Sequence, residues 1–291
     1  MWFGNSWRSW QLLYKRSPGT LASRSPKPVD SLGENVGYIV PELISCIVPV
    51  LDVRRPWTLR HGVAKARSLQ HLLADLEHTP RADVEVVVVF NRQERQLPEF
   101  IEAQSRIDKY CINSTNVGVS RAWNMGAMLA EGEYLCFVND DVELGAKALT
   151  TMRDVLATDP SIGEVGPAGG RFVDGVGGAR VGLERMEDAD EISGFLFMTK
   201  RKVFDDVGGF DIRFTPAGYE EIDFSFKVRQ RGLRCCVIPG LPAKHHHHNG
   251  ASSTNRPIPF FSTATTRLSL HERNKRVFCQ KWAHWGKNAT K

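Results

Sequence analysis

The sequence has no stretch of roughly 18 uninterrupted apolar residues, the length that a membrane-spanning helix needs. Its best candidate, YIVPELISCIVPVL, is broken by Pro41, Glu42 and Pro49, so the chain is not expected to cross a bilayer. A secretory pattern is missing as well. MWFGNSWRSWQLLYKRS, at the start, holds neither a continuous apolar core nor a small-residue cleavage site, and a cytoplasmic location is the expectation. Metal-type cysteine spacing is also lacking. Cys46, Cys111, Cys136, Cys235, Cys236 and Cys279 form no C-x-x-C pair, and several sit in apolar segments, as reduced core thiols do. No internal repeat or low-complexity tract stands out except HHHH at 245–248.

What is present suits a soluble globular chain of one large domain, or one domain with appendages: 291 residues, 42% hydrophobic and 24% charged. The net charge of +5 hides an uneven spread. Residues 1–30 carry five Lys/Arg against one Asp, and residues 267–291 carry seven against one Glu, which leaves −5 for the middle. An acidic body argues against nucleic acid as a partner. Basic ends with Trp2, Phe3, Trp7 and Trp10 suit peripheral contact with the anionic inner membrane face. A loosely docked terminus accounts for them equally well.

Residues 1–40 read as a basic, aromatic segment followed by a Ser/Pro/Gly linker over 17–40. Order begins at LISCIVPV (43–50), a β-branched run suited to a buried parallel strand. Leu59, Val63, Ala66, Leu69, Leu72, Leu73 and Leu76 then recur at helical spacing over 58–78. DVEVVVVFN (83–91) predicts a second buried strand, and the three together a right-handed crossover. The pattern repeats: a helix over 118–132, with Ser120 as its cap and Gly132 as its stop; the strand EYLCFVNDD; and a helix in AKALTTMRDVLATDP. Alternation of this kind implies an α/β fold with an open, mostly parallel sheet flanked by helices. The glycine-rich stretch 163–182 predicts loops and short strands. After it come a strand and short helix over 191–210, a helix over 220–232 and a strand at 233–239.

Asn139, Asp140 and Asp141 follow the apolar run YLCFV, beyond the carboxyl end of a strand, where ligands of such sheets bind. Adjacent aspartates repel one another and lose solvation; a divalent cation beside a phosphate is the usual remedy. A helix N-cap role for Asp141 is the plainer alternative. Glu220, Glu221 and Asp223 open a helix, at the favourable end of its dipole. A solvated acidic first turn would look the same. In AKHHHHNGASS, imidazoles adjoin a strand end and suit Mn²⁺ or Mg²⁺ as a further anchor.

These clusters resemble the pattern of glycosyltransferase family 2, whose members have the GT-A fold. The resemblance rests on five segments in the family's order: SCIVPVLD (45–52), NVGVSRAWNMGAMLAEGEYLCFVNDD (116–141), SGFLFMTKRKVFDDVGGFD (193–211), EEID (220–223) and NKRVFCQKW (274–282). It implies a GT-A domain over 41–285. Residues 41–145 would form its nucleotide-sugar half, 146–260 its acceptor half and 261–285 a C-terminal helical segment.

The implied reaction is an inverting, metal-dependent transfer from a UDP- or dTDP-linked sugar to a hydroxyl of a glycan or lipid-linked acceptor, in surface polysaccharide synthesis. Asp141 matches the metal-binding Asp of the family's Asp-x-Asp motif, with Asp140 in its middle and Asn139 in place of its first Asp. His247 matches the metal-binding His, and His245 and His248 are close rivals in the run. Glu221 stands where the family's catalytic base is usually Asp, and Glu220 or Asp223 could carry the role. Pro49, Val50, Asp52 and Asn91 match the nucleotide-binding strand ends, although the family's Asp after the second strand is absent here. Asn116, Gly118 and Arg121 match the diphosphate and sugar side. Trp123 and Phe210 could stack on sugars, though core packing fits Trp123 better.

Two rivals remain at this level. A sugar nucleotidyltransferase would need a glycine-rich basic loop after the first strand, and PVLDVRRPW offers arginines without glycine. A catalytically silent glycan- or membrane-binding module is the other.

Overall fold

The computed structural model describes residues 39–53, 67–173, 176–246 and 257–283. Its first half is a parallel sheet. β1 (Val40–Val50), β2 (Val84–Phe90), β3 (Lys109–Ile112) and β4 (Gly132–Val138) lie in the order β3-β2-β1-β4, all parallel, with Ile44 opposite Val84 on one side and Tyr134 on the other. Their Val/Ile-rich runs have no polar face because helices cover both sides of the sheet. α1 (Leu69–Leu76) buries Leu69, Leu72, Leu73 and Leu76 against one face, each worth about 1.5–3 kcal/mol when removed from water. α2 (Leu97–Ala103) buries Leu97 and Ile101 there as well. α3 (Val119–Leu129) sets Trp123 and Ala127 into the core of the opposite face. The part of the predicted helix over 58–66 lies outside the described residues, as do residues 1–38.

The second half extends this sheet and adds smaller ones. In chain order come β5 (Val142–Leu144), α4 (Ala148–Thr158), β6 (Ile162–Gly166), β7 (Gly169–Val173), β8 (Val176–Arg180), β9 (Glu187–Ala189), β10 (Glu191–Ile192), β11 (Leu196–Lys200), α5 (Arg201–Asp206), α6 (Glu220–Gln230), β12 (Arg234–Val237), β13 (Ala243–His245), β14 (Ile258–Phe260), β15 (Thr263–Thr265) and α7 (Arg267–Trp282). The main sheet reads β3-β2-β1-β4-β11-β6-β12-β9, eight strands in all. Only β11 and β9 run against the rest, so the expected α/β class with a mostly parallel sheet and flanking helices describes the molecule.

Local expectations were corrected in three places. Ser120 does not cap α3: Gly118 holds that position at φ 85°, and Ser120 is buried two residues further on, within the first turn. Gly132 is not the stop of α3, which ends at Leu129. It opens β4, where its N–H donates to Ser45 Oγ at 2.8 Å and where a Cβ would lie 2.5 Å from the Leu43 carbonyl oxygen. The glycine is there because two strands meet too closely for a side chain. Finally, β5 separates the aspartates from the next helix. Lys147 stands at the N-cap of α4, which removes the capping explanation for Asp141.

Candidate active site

Asn139, Asp140 and Asp141 leave the carboxyl end of β4 beside the start of β11. β11 is antiparallel to β4 with Leu196 opposite Val138, and the Asn139 N–H donates to the Phe195 carbonyl at 2.9 Å. Asp140 and Asp141 are both buried. The chain then forms β5, and β13 pairs with it antiparallel, His245 opposite Val142. That register carries the histidine run to the aspartates across about a hundred residues of sequence. His245 Nε2 lies 3.3 Å from Asp141 Oδ1, and the His246 N–H donates to the Asp141 carbonyl at 3.2 Å. His246 turns its ring the other way, to Glu143 at 2.8 Å. His247 and His248 lie outside the described residues. His245 is thus part of a paired strand.

Two donors in adjacent positions on one octahedral Mg²⁺ or Mn²⁺ stand about 3 Å apart, given metal–oxygen distances near 2.1 Å. The Asp141–His245 separation meets this, and one carboxylate with one imidazole is a donor set such ions accept. Among the described residues no group of three or more His, Cys, Asp or Glu side chains is placed to hold a metal ion. A two-donor site fits an ion that draws its remaining ligands from phosphate and water.

The acidic turn of α6 approaches the same place from the other side. A Cβ on Gly194, the residue before Phe195, would lie 3.0–3.1 Å from Glu221 Cγ, Cβ and Cδ. The Ile192 N–H donates to Ser225 Oγ at 3.1 Å, and Ser225 Oγ donates to the Glu221 carbonyl at 3.2 Å, which latches this turn to β10. The three acids are not a solvated first turn: Glu220 and Asp223 are buried. Burial pushes the Glu220 and Glu221 carboxyls above the ordinary range, and the Glu221 charge raises Glu220 further. Oε2 of each finds no donor among the described residues.

Asp223 is differently occupied. Lys281 Nζ lies 2.7 Å from its Oδ1 and Trp282 Nε1 donates to the same oxygen at 2.9 Å, so this carboxylate is held by α7. Behind the turn, Glu164 of β6 is fully buried, beside Ser225 and Cys235, and neither of its carboxylate oxygens has a well-aligned donor among the described residues. Burial pushes it up to about 8, against a weaker pull from Ser225 and Cys235. Glu191 is pushed up to about 7, by burial first and then by the charges of Glu221 and Asp190.

At the nucleotide end, Val50 and Asn91 close the ends of β1 and β2, joined by the Asn91 N–H to the Val50 carbonyl at 2.7 Å. Pro49 lies one residue back, and Asp52 just beyond pairs with Arg92 at 3.0 Å. Sequence reasoning missed Asn113, at the end of β3. Its Nδ2 donates to Asn91 Oδ1 at 3.0 Å, while its Oδ1 meets no donor among the described residues. The signal was available: a third parallel strand ends beside the first two, in asparagine.

Asn116, Gly118 and Arg121 have internal occupations. Asn116 Oδ1 accepts from the Gly118 N–H at 2.9 Å and its Nδ2 donates to the Pro259 carbonyl at 2.7 Å. Gly118 does permit a close backbone approach, but of the chain's own Pro216, whose Cα would lie 2.8 Å from a Cβ there. Arg121 donates to Thr215 Oγ1 at 2.8 Å and lies over the Phe261 ring. These three tie the start of α3 to the 215–216 turn and the β14–β15 hairpin. Trp123 and Phe210 are both buried in a cluster with Phe137 and Phe197, so they pack the core and offer no face to a sugar.

α7 lies within the C-terminal segment, 261–285, that was expected to be helical; what it does is clamp the turn before α6. Asn274 Nδ2 reaches the carbonyls of Phe214, Ala217 and Gly218 at 2.9, 3.0 and 2.7 Å. Tyr219, at φ 76° an aromatic residue in the left-handed region, is packed by His271 and Phe278 of the same helix. A non-glycine residue held there costs about 1–3 kcal/mol and persists only when its surroundings impose it.

Comparison with known proteins bears on the whole arrangement. The profile of glycosyl transferase family 2 matches residues 63–217. The "uncharacterized protein y4gI" of Sinorhizobium fredii is 27% identical over 160 residues, 47% of this chain but 17% of that protein. A crystal structure of GalNAc-T7 with UDP, GalNAc and Mn²⁺ superposes with TM-score 0.56 at 18% identity, over 70% of this chain and 43% of the other. The mannosyltransferase PcManGT from Pyrobaculum calidifontis, in complex with GDP-Man and Mn²⁺, gives 0.55 at 17%, over 78% and 63%. TarS of S. aureus with UDP-GlcNAc gives 0.52 at 19%, over 71% and 60%. The chain thus spans between a sixth and two thirds of the proteins it matches, and the structures share its GT-A fold. With more than half of its residues inside the family profile, the chain belongs to glycosyl transferase family 2.

Proposed function

We propose that the chain transfers a sugar from a nucleotide diphosphate sugar to a hydroxyl of a glycan or lipid-linked acceptor, with inversion at the anomeric carbon. One observation carries this reading: the aspartates after β4, an imidazole from β13 and a raised-pKa carboxylate from α6 are gathered around the Gly194–Phe195 step. The structural relatives named above were crystallised with UDP, GDP-Man or UDP-GlcNAc, two of them with Mn²⁺, which supports a nucleotide-sugar donor and a divalent ion.

Asp141 and His245 would hold Mn²⁺ or Mg²⁺, with Asp140 and Asn139 shaping the loop beside them. Such an ion, when bound, neutralises a diphosphate and makes it a better leaving group. Asn91 and Asn113 present amide edges at the ends of β2 and β3 where a nucleobase can be read, with Pro49, Val50 and Asp52 along the same rim. Glu221 takes the proton of the acceptor hydroxyl as that oxygen bonds to the anomeric carbon from the face opposite the departing diphosphate. Its raised pKa makes it a stronger base than an ordinary carboxylate. Glu220, beside it, is pushed above the ordinary carboxylate range by burial and then by the Glu221 charge.

The reading is tested by donor turnover with Mn²⁺ and with chelator. Transfer or slow donor hydrolysis that chelator abolishes is expected. Pyrophosphate release would instead indicate a nucleotidyltransferase, and no turnover with any donor a binding module. Asp141→Ala is expected to lower turnover by at least about 100-fold and to remove the effect of Mn²⁺ on donor affinity; normal rates in that variant would refute the metal assignment.

A further inference from the structure

Gly194 and Phe195, between β10 and β11, belong to neither the carboxylate clusters nor the histidine run. Each nevertheless touches one side of the site. Gly194 leaves the space that the Glu221 side chain fills, since a Cβ there would sit 3.0–3.1 Å from three Glu221 carbons. That is closer than saturated carbons pack without displacement. Phe195 lays its ring flat on the His245 imidazole, with centroids 4.8 Å apart and planes at 10°. Its carbonyl accepts the Asn139 N–H at 2.9 Å. The ring is half-buried and packed against the core under the sheet, so it is a fixed surface.

We propose that Gly194–Phe195 is a positioning element that sets the distance between the proton-accepting carboxylate and the metal-holding pair. It does so by bearing Glu221 on one residue and His245 on the next. The inference rests on the function proposed above and adds two residues to it. The physical reason is covalent: adjacent Cα atoms are held 3.8 Å apart. Two groups seated on neighbouring residues of a strand lead therefore keep their spacing even where the elements that carry them, α6 and β13, are tied down elsewhere. Reaction rates depend steeply on this spacing, because a misplacement of about 1 Å can lower turnover 100-fold. Metal affinity depends in turn on a ring whose plane is fixed from behind.

The two residues should fail separately, and this distinguishes positioning from general loss of structure. Gly194→Ala is expected to lower kcat about 10-fold by shifting Glu221 a few tenths of an ångström, with donor KM and Mn²⁺ affinity within about twofold of the parent. Phe195→Leu keeps the apolar bulk and loses the flat ring. It should weaken Mn²⁺ binding about 10-fold, measured by titration of the donor-free protein, and Phe195→Tyr should restore it.

Glu221→Ala provides an independent check, because it removes Cγ and Cδ, two of the three carbons that the new Cβ would meet. Adding Gly194→Ala to Glu221→Ala should therefore cost little further stability, and should recover folding if Gly194→Ala alone folds poorly. Equal losses of kcat and Mn²⁺ affinity in both single variants, or no change in either, would overturn the positioning role while leaving the glycosyltransferase reading standing. A parent protein that neither turns over a donor nor binds Mn²⁺ would overturn both.

Discussion

Glu164 is the most exposed of the buried acids to a chemical test. A carboxyl pushed up to about 8 by burial keeps its proton in the folded chain while the unfolded chain has already released it. Stability is therefore fully present below the ordinary carboxylate range and is lost as pH rises toward 8, at about 1.4 kcal/mol per unit of pH while the two states differ by one proton. Glu191, pushed up to about 7, adds to the same trend. Glu164→Gln keeps the shape and removes the titration. Its melting temperature should fall less than the parent's between about pH 5 and about pH 8, leaving the variant the more stable at the upper end; parallel curves would refute the assignment. Glu221 obeys the same electrostatics with a catalytic readout. Only its ionised form accepts a proton, so transfer should rise with pH along a limb displaced above the ordinary glutamate range. Glu221→Gln should bind donor normally and lose that limb together with at least about 100-fold of kcat.

Among the elements, α7 has the clearest work. One asparagine amide serves three carbonyls of the 214–218 turn, and Lys281 and Trp282 hold Asp223 at the start of α6. Asn274→Ala would strip those carbonyls of a donor, at a cost of about 1–3 kcal/mol. Because this turn leads directly into Glu220 and Glu221, the variant should also lower kcat more than donor KM. Hydrogen exchange over 214–223 is the measurement: faster exchange there, with β1 and β2 unchanged, is expected. Lys281→Ala removes one partner of a fully buried carboxylate and should be costlier, about 3–5 kcal/mol. Among the described residues no helix is long and apolar enough to cross a membrane. A vesicle-binding assay with and without the basic ends tests the expected peripheral membrane contact.

For the molecule as a whole, the proposed donor and ion should stabilise the fold by mass action. At about 100 times its Kd a nucleoside diphosphate with Mn²⁺ should add about 2.7 kcal/mol, roughly 5–10 °C in melting temperature for a chain of this size, and chelator should cancel the shift. Much of this architecture was legible in the residues. Val/Ile-rich runs such as VEVVVVF have only one way to be satisfied, burial on both faces, and leucines at three-to-four spacing fix a helix face; these are short-range regularities that survive any rearrangement of the rest. So were the aspartates after YLCFV and the acids opening α6, because their repulsion and desolvation demand an explanation wherever they sit. The central place of β6 was not legible, since GEVG in a glycine-rich stretch has too few apolar side chains to announce a strand. Nor was the division of labour among the acids: Asp223 and Glu221 are two residues apart on one helix turn, and only packing against α7 and Gly194 separates them. Which histidine faces Asp141 was equally undetermined, because alternate residues of a strand point to opposite sides and its register is set by pairing with β5. Composition and periodicity thus determined the fold class and the kinds of chemistry available; the tertiary structure alone decided which groups share a site, because that depends on contacts between segments far apart in the chain.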